Sequence, residues 1–293
     1  MDAASQGNEA VAGHLDATVA GQVRVEGHPG VVVRFGRRGA TTELELAGPP
    51  VVDATARARP RTVADLDDAG LTSAITAVIA EVRCRPELAG SAFHLAADHP
   101  ANSLHPLPEL VADAANLPHR RDLLQLRSAL PVPADHPARA SAPPLATRSF
   151  RPGPDDAAWV LVNNRAFAAH PDQGAETDAT LAARIAEGWF DADGFLVAAD
   201  PGRAGELSGF CWTKVHPPTA TDPSIGEIYV IGVDPSHRGE GLGPAFVLAG
   251  LDHLAGVGIA IANLYVDADN EPARRLYDRL GFTTHARRRV YSQ

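Results

Sequence analysis

The sequence predicts an α/β fold in two domains. Three observations carry this. A proline-rich stretch divides the 293-residue chain near its middle, the second half alternates apolar strands with helices, and parts of the first half repeat the second. The stretch from Leu130 to Thr147 holds Pro131, Pro133, Pro137, Pro143 and Pro144 among Ala and Ser, the composition of a linker. The expected division is residues 1–129, a linker at 130–146, and a second domain at 147–293.

In the second half Ala146–Phe150 reads as a short strand. A helix follows from Pro154 to about Phe167, with an Asp of Asp155-Asp156 as its cap. Thr177–Gly188 is a second helix. Gly194–Ala199, Leu207–Val215 and Glu227–Val233 are apolar or alternating strands. Leu242–Leu254 carries no charge before Asp252, as a buried helix would. Ala260–Asp267 is a strand, Glu271–Leu280 a helix and His285–Tyr291 a closing strand. The order is β-α-α-β-β-β-α-β-α-β, which several α/β folds share.

The first half resembles a degenerate copy. His94-Leu95-Ala96-Ala97-Asp98-His99-Pro100-Ala101-Asn102 parallels Leu264-Tyr265-Val266-Asp267-Ala268-Asp269-Asn270. A strand follows in each copy, at Asp122–Ala129 and Arg287–Tyr291. Val31–Phe35 and Glu43–Leu46 are expected strands and Val63–Val82 a helix. The first thirty residues suggest no element. A glycine-rich turn is missing before the first-half helix, where Asp65, Asp67 and Asp68 would repel an anion.

Composition narrows the function. The net charge of −10 argues against general nucleic-acid binding. No apolar run reaches the ~18–20 residues of a membrane span, and Met1–Ala20 lacks the basic and apolar regions of a signal peptide. Cys84 and Cys211 read as two separate thiols. A cytoplasmic monomer with no metal is expected. Lys214 is the sole lysine beside 25 arginines. An Arg does not reproduce its compact ammonium.

Two motifs carry chemistry. In Ile228–Gly243 an apolar strand empties through Asp234-Pro235-Ser236-His237 into Arg238-Gly239-Glu240-Gly241-Leu242-Gly243-Pro244 and a helix. Outward N–H groups, absent β-carbons and the helix dipole suit a pyrophosphate there. About thirty residues on comes Asn270-Glu271-Pro272-Ala273-Arg274-Arg275-Leu276-Tyr277, ending at Gly281-Phe282. In this order and spacing the pair resembles the core motifs of the GNAT superfamily of acetyl-CoA-dependent N-acetyltransferases. The resemblance implies two tandem GNAT-like domains, each a mixed, mostly antiparallel sheet flanked by helices, with the catalytic one at 147–293.

The resemblance also distributes roles. The amides of Arg238–Pro244 would cradle the pyrophosphate of acetyl-CoA. The strand end Ile231-Gly232-Val233 would bond the pantetheine arm, Gly232 suiting a bulge or a close approach. Tyr277 would protonate the departing thiolate, since a phenol keeps its proton at neutral pH. Strict alternation puts Glu227, Tyr229, Ile231 and Val233 on one face, and Glu227 could take a proton from an attacking ammonium, directly or through water.

A closer resemblance runs through His170-Pro171-Asp172-Gln173-Gly174, Gly188-Trp189-Phe190-Asp191, Gly209–Val215, Gly226–Val233 and Leu264–Asp267. These segments look like the mycothiol synthase family, tandem GNAT enzymes that acetylate the cysteinyl amine of cysteinyl-glucosaminyl-inositol. The resemblance implies Glu227 as base and Tyr277 as acid. It implies acceptor contacts from Asp172, Lys214, Glu227 and Tyr265, and acetyl-CoA contacts from Ile231–Val233, Arg238–Pro244 and Asn270–Arg275. The family usually has Glu where this chain has Asp172, and keeps an acetyl-CoA loop in its first half that this chain lacks. Two other readings stay open: an acetyltransferase for a protein N-terminus, polyamine or aminoglycoside, and an acetyl-CoA-binding protein without turnover.

Overall fold

The computed structural model describes residues 20–24, 32–38, 41–47, 68–84, 92–100, 112–113, 116–168, 174–219 and 222–292. These fall into two compact units. One ends at Leu124 and includes the strand from His285. The other is Gln125–Thr284.

In the first unit β1 (Ala20–Arg24), β2 (Val32–Arg38) and β3 (Thr41–Ala47) are antiparallel neighbours. β3 runs parallel to β4 (Ala92–Pro100). β4 pairs antiparallel with β11 (Thr283–Ser292). Helix α1 (Asp68–Arg83) buries Val78, Ile79 and Val82. It starts at Asp68, so the expected turns of this helix over 63–67 lie outside the described residues, as does the acidic segment before it. β1 is an element the sequence did not announce.

The second unit follows the expected order. After β5 (His119–Ala129), which this unit enters at Gln125, the proline-rich stretch contains a short helix, α2 (Pro137–Ser141). Then come β6 (Arg148–Ser149), α3 (Asp156–Ala166), α4 (Asp178–Ile185), β7 (Phe195–Ala199), β8 (Leu207–His216) and β9 (Ile225–Val233). Helix α5 (Leu242–Gly256), β10 (Ile261–Asp267) and α6 (Glu271–Arg279) complete it. β6 to β9 are antiparallel in sequence order, and β9 is parallel to β10. β5 lies beside β10.

The two units share a plan. In each, a run of antiparallel strands meets one parallel strand, β4 or β10. Beyond it lies a strand from the other half of the sequence, β11 beside β4 and β5 beside β10. The strands that carry the internal sequence similarity, β4 and β10, thus occupy equivalent places.

The helices of the second unit cover both faces of its sheet. A β-carbon at Gly250 of α5 would lie 2.6 Å from Cys211 Sγ and 2.9 Å from Ile228 Cδ1, so α5 covers the face of Cys211 and Ile228. The opposite face holds an aromatic core. Phe195 stacks on Trp212 and on Phe150, with ring centroids 4.2 Å apart in both pairs, and Trp159 of α3 meets Phe195 and Trp212 edge-on. Such packing gives the site a stiff floor.

Two local expectations need correction. Asp155 stands at the N-cap of α3 yet makes no side-chain capping bond. It instead binds Arg148 Nη1 at 2.6 Å and Arg151 Nη2 at 2.8 Å, because two guanidinium groups outcompete a helix amide for its oxygens. The simple alternation of β9 also fails, for a reason that bears on the site. Cys84 and Cys211 are both free thiols. Among the described residues no helix is long and apolar enough to cross a membrane.

Candidate active site

β9 carries the decisive geometry. Across β8, Thr213 pairs with Ile228 but Trp212 pairs with Val230. Tyr229 is the extra residue of a β-bulge, and one extra residue reverses the faces beyond it. Glu227 and Tyr229 lie on the aromatic face. Ile231 and Val233 pair with Cys211 and Gly209 and turn to the α5 face. The expectation of one shared face for these four residues is therefore wrong.

The other edge of β9 opens. Its parallel ladder with β10 joins Gly226 to Ala262 and Glu227 to Asn263 and stops, although the strands continue to Val233 and Asp267. Over Ile231–Val233 the backbone is laddered to β8 but not to β10, which leaves an edge that can bond an extended ligand. Gly232 has a separate reason for being glycine. A β-carbon there would lie 2.7 Å from Phe210 Cε1 and 3.2 Å from Ala166 Cβ.

The opening lies above a row of polar side chains. Lys214, Glu227 and Asn263 are register partners on three neighbouring strands and share one face. All three are buried, Glu227 at 0% exposure. Lys214 Nζ stands 4.3 Å from the centroid of the Trp189 ring and 5.4 Å from that of Tyr229, within cation–π range. The sole lysine is thus a buried, caged charge and not a surface remnant. Asn263 Oδ1 is buried without a hydrogen-bond partner. Tyr265, two residues further along β10, is half-buried on the same face. Asp172 lies outside the described residues.

His216 joins this row, and sequence reasoning missed it. Its Nε2 is 2.6 Å from Glu227 Oε2. Only cross-strand register brings it there: His216 pairs with Ile225, and adjacent residues on one face are neighbours.

The glycine-rich turn is shaped for an anion. Gly239 and Gly241 have φ of 91° and 77°, the left-handed region that other residues avoid. Gly241 caps α5 without a side-chain bond, and the first turn of α5 holds no acid. The leading N–H groups of α5 therefore lack a side-chain acceptor and carry the positive end of the dipole. The residues present fit a pyrophosphate. Arg238, Gly239 and Glu240 are exposed, and Gly241 to Pro244 half-buried. On α6, Asn270 caps the helix through Ala273 N at 3.2 Å. Arg274 binds Ala268 O at 2.9 Å and Arg275 pairs with Glu271 at 2.8 Å. Ala273 is half-buried and Pro272 exposed.

Tyr277 is the buried residue of α6 and meets Phe282 edge-on at 5.8 Å. Burial, then Cys211, hold its phenol above the ordinary range. Burial pushes the Cys211 thiol up to about 12. Both groups stay protonated at neutral pH.

A charged network ties the turn to the sheet. Asp234, at the end of β9, accepts from Ser236 N at 2.9 Å, Arg203 Nη2 at 3.1 Å and Arg165 Nη1 at 3.2 Å. Burial opposes its ionisation, but these bonds outweigh it and hold the carboxyl well below the usual range. Asp200, at the end of β7, accepts from His237 Nε2 at 3.0 Å and Arg203 Nε at 2.9 Å. The His237 bond, with the Gly202 amide and Arg203, lowers it to about 2. His237 Nδ1 reaches Glu240 at 2.9 Å, so Asp200 and then Glu240 raise its pKa.

The sign of the pH effect follows. A raised folded pKa stabilises fully below the unfolded value, about 6.5 for His, and the gain is lost as pH rises through the folded value. His237→Gln is therefore expected to lower Tm most below pH 6 and progressively less towards pH 9. A deficit that grows with pH would remove His237 from this network. Asp200 acts at the other extreme, its contribution present above about 4 and lost as pH falls through about 2.

Among the described residues no group of three or more His, Cys, Asp or Glu is arranged to hold a metal ion.

Comparison with known proteins finds relatives among acetyltransferases. Residues 161–282 match the acetyltransferase (GNAT) family. A mycothiol acetyltransferase of Acidimicrobium ferrooxidans is 55% identical over 163 residues, 55% of this chain and 51% of that one. One of Pseudarthrobacter chlorophenolicus is 50% identical over 163 residues, 56% of this chain and 50% of that one. The matched part thus spans about half the length of these relatives. One of Kocuria rhizophila is 38% identical over 261 residues, 86% of this chain and 84% of that one. A tandem GNAT protein from the clavulanic acid biosynthesis pathway shares the fold, with TM-score 0.56 and 15% identity over 95% of this chain and 84% of that one. A GCN5-related N-acetyltransferase from Sphaerobacter thermophilus does too, with TM-score 0.57 and 18% identity over 90% and 76%. With a relative matched along most of both chains, this chain belongs to the mycothiol acetyltransferase family.

Proposed function

We propose that the chain is an acetyl-CoA-dependent N-acetyltransferase for the cysteinyl amine of cysteinyl-glucosaminyl-inositol, forming mycothiol. The observation that carries this reading is the buried Lys214–Glu227–Asn263 row beside the strand opening. It sets a carboxylate, an ammonium and an amide where an amine and its polar substituents can be bound.

Acetyl-CoA supplies an activated acetyl group as a thioester. The turn Arg238–Pro244 and the start of α6, Asn270–Arg275, hold its phosphate end. The strand edge Ile231–Val233 aligns the acyl arm. Glu227 takes a proton from the acceptor ammonium, and the neutral amine then attacks. Tyr277 donates its hydroxyl proton to sulfur as the C–S bond breaks, and the second proton lost by the nitrogen restores the hydroxyl. Lys214, Tyr265 and Asp172 bind the acceptor.

The test is CoA-thiol release with purified protein and three amines: the pseudodisaccharide, spermidine and a short peptide. Saturable turnover with the pseudodisaccharide alone is expected. Turnover only with spermidine or peptide would assign another acceptor. No turnover with any amine, despite acetyl-CoA binding, would favour a binding protein.

A further inference from the structure

We propose that His216 is a positioning residue that carries the proton from Glu227 to solvent. The inference rests on Glu227 being the base. Each acetyl transfer from an ammonium releases one proton to water, and Glu227 receives it first. A carboxyl at 0% exposure cannot hand that proton to bulk water itself. His216 Nε2 lies 2.6 Å from Glu227 Oε2, and the two side chains are 25% and 1% exposed. The imidazole is the step between a sealed carboxyl and the outside.

Register gives the direction. The β9–β10 ladder opens beyond Glu227 and Asn263. His216 pairs with Ile225, on the closed side of Glu227. Along the sheet the order is opening, Glu227, His216. An acceptor amine entering at the opening meets Glu227 first, so His216 serves behind the base.

Among the described residues on that face, the other side chains are poor proton carriers. On the same face of the sheet stand Lys214, Tyr229, Tyr265 and Asn263. An ammonium has no lone pair to accept a proton, a phenol is far too weak a base, and an amide does not titrate near neutrality. In the helical layer over that face Glu176 and Arg184 pair with each other at 2.6 Å. The imidazole of His216 has two nitrogens, one to receive a proton and one to release it.

The step balances. The amine N–H bond breaks and an O–H bond forms on Glu227. That proton moves from Oε2 to Nε2 of His216. The imidazolium releases the proton on Nδ1 to water, and Glu227 returns to carboxylate. Proton exchange with solvent returns the imidazole from the Nε2–H to the Nδ1–H tautomer before the next turnover.

The experiment measures CoA release by the full chain with the pseudodisaccharide, in dilute buffer, for His216→Ala, His216→Gln and Glu227→Gln. Both His216 variants are expected to lose about tenfold or more in kcat, a modest part of what acid–base groups contribute. The KM for acetyl-CoA should hold. Added imidazole should restore most of the His216→Ala rate. In His216→Gln, whose amide can still donate to Glu227, kcat should rise with the concentration of a small buffer base. Glu227→Gln should respond to neither addition. Unchanged kcat in both His216 variants would overturn the relay, and so would a loss that neither imidazole nor buffer restores. Full activity in Glu227→Gln would instead overturn the assignment of the base.

Discussion

Tyr277→Phe is expected to lower kcat about 10²- to 10³-fold, within the range for removal of a general acid, while the Kd for acetyl-CoA changes by less than about twofold. The asymmetry follows from where the residue sits. Tyr277 is the buried residue of α6, its ring packed edge-on against Phe282. Phenylalanine preserves that packing and removes only the hydroxyl. The contacts assigned to the cofactor are the glycine-rich turn, Ile231–Val233 and Asn270–Arg275 at the start of α6, none of which loses a group in the substitution. Burial holds the phenol above its ordinary range, so the wild-type hydroxyl stays protonated wherever the enzyme folds near neutrality. The alkaline limb of the pH profile should then be the same in both proteins. Stopped-flow binding and steady-state turnover separate the two quantities. Equal losses in kcat and in acetyl-CoA affinity would make Tyr277 a packing residue of the cofactor groove.

Much of this site was legible in the sequence, because its parts are local. Glycine at 239 and 241 announces a left-handed turn, and the uncharged run after Leu242 announces the buried helix behind it. The order of the C-terminal elements follows from hydrophobic period alone. What was not legible depends on register. The bulge at Tyr229 adds one residue to β9 and leaves no mark in its apolar pattern, since both faces of this strand are covered. His216 lies one residue beyond the strand end expected at Val215, and its partner stands eleven positions away on the next strand. The Asp200–Arg203–Asp234–His237 network joins residues from two separate loops, each of which reads alone as an ordinary polar turn. Asp155 illustrates competition. It occupies a capping position, but Arg148 and Arg151 claim its oxygens.

Glu227→Gln tests the other half of the chemistry. The substitution is nearly isosteric, and the amide can keep a hydrogen bond to His216, so the row with Lys214 and Asn263 should persist. What disappears is the ability to take a proton. Turnover near pH 7 is expected to fall by about 10²- to 10⁴-fold. The size of the recovery with pH is fixed by the acceptor. An α-amine with a pKa of about 7.7–8.0 is roughly a tenth neutral at pH 7 and almost wholly neutral at pH 9. The variant should therefore regain at most about tenfold in kcat/KM over that range, tracking the free-amine fraction, while the rest of its defect persists. That residue of the defect has a cause. The nitrogen must shed a second proton after it attacks, and a site that has lost the Glu227 carboxylate is less able to stabilise the cationic nitrogen meanwhile. A kcat/KM deficit unchanged between pH 7 and 9, with a raised acceptor KM, would instead make Glu227 a binding partner of the ammonium. Recovery beyond the free-amine fraction would require a second base, and His216, already 2.6 Å from position 227, is the group placed to act as one.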